Sequence, residues 1–150
     1  MRVARNLCVV ALGLATLSIS TPASADMFGL RTGIYTKLSK PFVGAELLVP
    51  LSHSVYLDPN VEYVFTDGET YMTFNADFHY DFPTHGPTYV WAGAGLAVIY
   101  SKPDGASSST DVGADFLFGI GHRGPVVPYI QAKLIAKSDT EFVIAVGLRF

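Results

Sequence analysis

The sequence predicts an all-β protein: a single closed antiparallel up-and-down barrel of about eight transmembrane strands, following a cleaved signal peptide. Three observations carry this. The first is alternation, clearest in residues 70–82, TYMTFNADFHYDF. Met72, Phe74, Ala76, Phe78, Tyr80 and Phe82 form one set; Tyr71, Thr73, Asn75, Asp77, His79 and Asp81 form the other. Successive strand side chains point to opposite faces, so this strand meets two different surroundings, whereas a helix would mix the two sets. The second is where glycine falls. Gly33, Gly44, Gly93, Gly95, Gly113, Gly119 and Gly147 all lie on the less apolar face of their segments. Glycine weakens an exposed strand but suits the crowded interior of a narrow barrel. The third is that the apolar faces end in aromatics: Phe28, Phe42, Phe65, Phe82, Tyr100, Phe142 and Phe150. Aromatic rings near strand ends match the two girdles at a membrane surface.

The leader sets the compartment. Arg2 and Arg5 precede an apolar core at 7–17, and a polar stretch then ends in Ala23-Ser24-Ala25. That layout is a secretory signal peptide, with cleavage expected before Asp26. The core is shorter than the ~20 residues a spanning helix needs. Cys8, the single cysteine, lies inside it, so the mature chain is expected to carry no disulfide and no thiol metal site. Residues 26–150 hold 8 basic residues, once Arg2 and Arg5 are removed, against 13 acidic ones, a formal charge of −5. Such a balance offers nucleic acid no basic patch. The longest apolar run, 89–100, is too short for a membrane helix.

The elements follow in order. Segment 28–38 alternates Phe28, Leu30, Thr32, Ile34 and Leu38 with Arg31, Gly33, Tyr35 and Lys37, and turns at 39–41. Segment 42–51 sets Val43, Ala45, Leu47, Val49 and Leu51 against Gly44, Glu46 and Leu48, with Pro50 marking its end or a bulge. Segment 54–65 sets Val55, Leu57, Val61, Tyr63 and Phe65 against Tyr56, Asp58, Asn60, Glu62 and Val64. Asp67-Gly68 is a hairpin signal leading into 70–82. A two-proline turn at 83–87 precedes segment 88–101, and the longest loop is expected at 102–110. Segments 111–121, 127–137 and 141–150 complete the set, separated by turns at 122–126 and 138–140.

Two barrels fit this alternation. A soluble barrel of the lipocalin kind would line a ligand cavity with the apolar face. A membrane barrel inverts the pattern, with apolar residues toward lipid and polar residues in the lumen. Glycine placement, aromatic ends and strand lengths suited to a tilted bilayer crossing favour the second. Backbone in lipid also demands a closed sheet, because unpaired groups cost several kcal/mol each. The final strand, FVIAVGLRF, has Phe142, Ile144, Val146, Leu148 and Phe150 on one face. On this pattern, residues 28–150 resemble the small eight-stranded outer-membrane barrels of the OmpA and OmpX type. The resemblance implies integral residence in the bacterial outer membrane, contact with its lipid, and a last strand read by the barrel-assembly machinery. It also implies that both termini face the periplasm and that 40–41, 67–68, 102–110 and 138–140 lie outside the cell.

The candidate site is the lumen. Arg31, Lys37, Lys133, Lys137 and Arg149 are expected to face Glu46, Asp58, Glu62, Asp77, Asp81, Asp111 and Asp115 there. Eight strands leave an interior that side chains can fill, and charges within it must pair or hydrogen-bond. The expected outcome is an ion-pair network plugging the barrel, with a narrow conduction path as the sharper alternative. Asp77, His79 and Asp81 share one face at roughly 7 Å intervals, a possible donor set for a divalent metal. No second His or Cys is near in sequence, so His79 is read instead as hydrogen-bonded to a lumen carboxylate, and no metal or cofactor is expected. His53, His85 and His122 fall in turns. Some outer-membrane barrels modify lipids with Ser and His at the barrel edge, but Ser101, Ser107, Ser108 and Ser109 have no histidine on a nearby loop as base. The sequence therefore predicts a non-enzymatic, monomeric barrel with a structural or surface-interaction role.

Overall fold

The computed structural model describes residues 27–150. The leader, its site after Ala25 and Cys8 lie outside the described residues. Alternating sequence becomes eight strands: β1 Met27–Tyr35, β2 Lys40–Pro50, β3 Val55–Val64, β4 Glu69–Asp81, β5 Thr88–Pro103, β6 Ser109–His122, β7 Val127–Ala136 and β8 Glu141–Arg149. Each pairs antiparallel with the next, and β1 pairs with β8, so the sheet closes on itself. The seam sets Leu30 opposite Leu148 and Arg31 opposite Gly147. Turns 36–39, 65–68, 104–108 and 137–140 form one end of the barrel, called here the loop end. The start of β1, the C-terminus and turns 51–54, 82–87 and 123–126 form the other.

The alternation resolves into an apolar outside and a polar inside. Phe78 is 53 % exposed and Ile130 55 %, whereas Asp58, Asp77 and Asp115 are fully buried in the lumen. An apolar surface wrapping the whole barrel far exceeds what a soluble monomer leaves in water. The lipocalin-like alternative requires the reverse assignment of faces, and the structure rules it out. Girdle pairs mark both ends of the apolar band: Tyr63 with Phe65 at the loop end of β3, and Tyr80 with Phe82 at the far end of β4. Their ring centroids lie 5.3 and 5.2 Å apart in edge-to-face contact.

Some expectations need correction. Phe42 is not a girdle residue. It is fully buried inside the barrel against Tyr35. Its position, two before Gly44 and four before Glu46, already put it on the lumen side of β2, and side-chain type misled the reading. Strand β1 stops at Tyr35, because the chain leaves the ladder for a turn in which Ser39 takes a φ of 53°. Leu38 therefore packs on the buried cluster at the loop end of the lumen, not on lipid. Strands β5 and β6 run on into the expected 102–110 loop. Ser101 stands opposite Ser109, their hydroxyls 2.9 Å apart, and only 104–108 remain as the turn.

Candidate functional site: the polar lumen

Every inward side chain is placed by strand register, so the lumen can be described in layers. At the loop end, Tyr35, Phe42, Val64, Tyr71, Ile99 and Ile135 belong to one buried apolar cluster. At the terminus end, Tyr89, Trp91, Leu117, Val127 and Tyr129 form a second. The second cluster exists because of small residues beside it. A Cβ on Gly119 would run into the Trp91 indole, and one on Gly147 into the Tyr129 ring. Between the two clusters lies the charged layer.

One part of this layer is closely paired. Glu46 accepts from Arg149 Nε at 2.7 Å and from Arg31 Nη1 at 3.3 Å. Glu62 pairs with Arg31 Nη2 at 2.5 Å and with Lys133 Nζ at 3.1 Å. Its other oxygen accepts from Tyr35 and Thr73. Two glutamates thus bridge three cations contributed by β1, β7 and β8. Asn60 accepts from Arg31 and from Asn75, and donates to Asp77 Oδ2 at 3.1 Å. Arg149 also packs over two aromatic rings, its guanidinium carbon 4.3 Å from the Tyr129 centroid and 4.8 Å from that of Trp91. Trp91 Nε1 donates to Gln131 at 3.1 Å, so the ring carries no orphan donor.

The other part is a belt of carboxylates. Asp58 stands directly opposite Asp77, and Gly95 stands opposite both Asp77 and Asp115. A Cβ at Gly95 would lie 2.6 Å from Asp77 Cα, so only glycine lets this row close up. Both oxygens of Asp58 and of Asp115, and Oδ1 of Asp77, have no protein hydrogen-bond partner.

The expected network is therefore assembled in part. Arg31, Glu46, Glu62, Lys133 and Arg149 are joined, and Asp77 touches them through Asn60. Asp58 and Asp115 are in the lumen but unpaired. His79 makes no hydrogen bond to any carboxylate, which corrects its expected role. It packs edge-on to Tyr56 at 5.3 Å and against Trp91 at 5.8 Å, and its Nε2 is 3.7 Å from Asp81. Asp81 sits at the end of β4, partly exposed. Lys37 and Lys137 lie beyond their strands, in the turns of the loop end, and Asp111 is exposed on the extended β5–β6 hairpin. Lys37 pairs instead with Asp139 across the loop end. Tyr35, Asn60, Thr73, Asn75 and Gln131 complete the site. Their polar-face positions were the available signal, but as uncharged residues they were not singled out.

The loop end carries a second exposed pair, Lys40 with Asp67. The lysine's hydrogen bond and charge hold the Asp67 carboxyl below its ordinary value. Lys37 does the same for Asp139.

The chain matches no protein-family model and no curated protein sequence. Solved structures do share its fold. The N-terminal β-barrel domain of Pseudomonas aeruginosa OprF superposes with a TM-score of 0.69 at 16 % identity, over 83 % of this chain and 96 % of that one. Neisserial surface protein A gives 0.57 at 17 %, over 83 % and 93 %. The outer-membrane enzyme PagL gives 0.59 at 13 %, over 83 % and 98 %. The fold is that of the small eight-stranded outer-membrane β-barrels, with transmembrane β-strands. The polar, side-chain-filled lumen is what such a barrel requires of its interior.

Proposed function

We propose that the chain is a small structural barrel of the bacterial outer membrane, with a plugged lumen, no catalytic activity, and short loops that present a surface for interaction. The observation that carries this is the layered lumen. Two apolar clusters bracket an ion-paired layer in which Glu46 and Glu62 hold Arg31, Lys133 and Arg149. A solute would have to break buried ion pairs and part both clusters. The likeness to OprF's barrel domain and to Neisserial surface protein A supports the membrane assignment. PagL, by contrast, is an enzyme on the same fold, so fold alone does not argue against catalysis. Here the serine pair Ser101–Ser109 lies at the loop end, while His53, His85 and His122 lie at the opposite end. Among the described residues, no histidine stands near those hydroxyls.

In this reading the leader is removed after Ala25 and the termini face the periplasm. The assembly machinery recognises Phe142, Ile144, Val146, Leu148 and Phe150, which alternate outward along β8 and end at the C-terminus. The barrel inserts as a monomer. The test is planar-bilayer recording on refolded protein together with gel mobility before and after boiling in SDS. A heat-dependent mobility shift with no conductance steps is expected. Discrete single-channel openings from shifted, folded protein would overturn the plugged reading.

A further inference from the structure

The outer wall is not uniform. Across β3 and β4 it presents an aromatic ridge that includes Tyr63, Phe65, Phe74, Phe78 and Tyr80. Elsewhere aromatics also face out, Phe116 and Phe118 on β6, Phe142 on β8 and Phe28 on β1, but one row of slimmer side chains crosses β6, β7, β8 and β1 between them. Ile120, Ile130, Val146 and Thr32 follow one another from strand to strand in direct register, flanked on one side by Leu148 and Leu30. These residues line an open groove of about 780 Å³ whose surface is almost wholly carbon. It crosses three strand spacings, roughly 14 Å. Strands in such barrels tilt, so a groove along the hydrogen-bonding direction climbs the wall obliquely. It begins at the last residues of β6, on the rim, and ends at residues four to six of β1, near mid-height.

The rim end of the groove is polar. His122 and Thr88 stand opposite each other on the lipid-facing side of β6 and β5, and both line the groove. An imidazole N–H and a hydroxyl there can donate to phosphodiester oxygens. A second, smaller concavity near Phe28, Leu47 and Phe74 has no polar residue on its lipid-facing side.

We propose that this groove is a site for a single glycerophospholipid, with an acyl chain along Ile120, Ile130, Val146 and Thr32 and its phosphate at His122 and Thr88. Charge selects this occupant. A multiply phosphorylated lipid needs several cations at the mouth. The lysines of the described residues outside the lumen, Lys37, Lys40, Lys102 and Lys137, all lie at the loop end, and Arg123 beside the mouth turns inward over the Tyr89 ring at 4.7 Å. One phosphate with hydrogen-bond donors is what the mouth can serve. Association with individual lipid molecules at a defined place goes beyond the bland lipid contact of any barrel wall.

The test uses the refolded mature protein in phosphatidylcholine nanodiscs doped with phosphatidylglycerol carrying a diazirine at mid-chain. Cross-links are mapped by peptide mass spectrometry. Labelling is expected to be several-fold higher at 120, 130 and 146 than at 74 and 78. Val146→Phe, which fills the groove while keeping an apolar lipid-facing residue, is expected to abolish that enrichment, and His122→Leu to reduce it. The heat-dependent mobility shift is the folding control. If Val146→Phe fails it, Thr32→Phe serves in its place. Even labelling around the wall, or enrichment that survives the groove-filling variant in a folded barrel, would overturn the site. Enrichment indifferent to His122→Leu would overturn the assignment of the phosphate.

Discussion

The two sides of the lumen handle buried charge in opposite ways. On the side formed by β7, β8, β1, β2 and β3, the ionic groups of the central layer each meet a partner of opposite sign. Arg149, Glu46, Arg31, Glu62 and Lys133 form an unbroken chain of contacts between 2.5 and 3.3 Å. On the side formed by β3, β4, β5 and β6, Asp58, Asp77 and Asp115 share one level of the barrel around Gly95, and among the described residues the one side-chain hydrogen bond their carboxylates receive is from the Asn60 amide to Asp77. All of these groups are buried. Burying a charge without a partner is costly, and removing one member of a buried pair is costlier than never having made the pair. The paired side is therefore a frame whose members depend on each other. The acidic side is a local excess of like charge that the frame tolerates.

The largest effect expected from breaking this comparison is at its hub. Glu62→Ala leaves Lys133 without a carboxylate partner and Arg31 with Glu46 alone, and removes the acceptor of Tyr35 and Thr73. A loss of about 3–5 kcal/mol is expected, the usual cost of orphaning buried charges. Urea titration of the refolded barrel in lipid, followed by Trp91 fluorescence, measures it. A loss below about 1 kcal/mol would show that the frame does not hold the barrel. Next comes Asp58→Asn, which removes an unpaired carboxylate and keeps its shape. Stability is expected to rise, on the order of 1 kcal/mol, in the same titration. A clear fall would mean Asp58 has a partner essential to the barrel. Opposite signs for Glu62 and Asp58 are what distinguish a frame from a tolerated excess.

The smallest effect is at the loop-end pairs. Asp67 and Asp139 are held below their ordinary values by Lys40 and Lys37. A lowered carboxyl adds stability above its unfolded value, and that stability is lost as pH falls through the folded value, here below about pH 4. Both carboxylates are fully exposed, and exposed pairs contribute little. Lys40→Ala is expected to leave the urea midpoint at neutral pH unchanged within error. A marked drop would show that charge pairing outside the bilayer matters as much as pairing within.

Much of this was legible in sequence, for a reason visible residue by residue. Met72 through Phe82 alternate because one face of β4 meets lipid and the other the lumen, and the same constraint produces all eight strands. Strand ends were less legible. Lys37 and Leu38 continue the alternation of β1 although the chain has already left the ladder, because a period of two persists through a short turn. The polar stretch after Ser101 looks like loop, yet the chain pairs until Pro103, since register carried over from the membrane costs little to extend. Phe42 shows the hazard of reading side-chain type against position.

Composition and periodicity by themselves determined the class of fold, the number of strands, which face meets lipid and which side chains within the strand interiors enter the lumen. Alternation is a local property, and each strand declares it without its neighbours. Only the closed sheet decided which charges meet. Arg31 reaches Glu46 and Glu62 because register between β1, β2 and β3 brings them level, and Asp58 falls opposite Asp77 by the same rule. Pairing depends on distances between residues far apart in the chain. Closure of the barrel fixes those distances, and no single strand contains them.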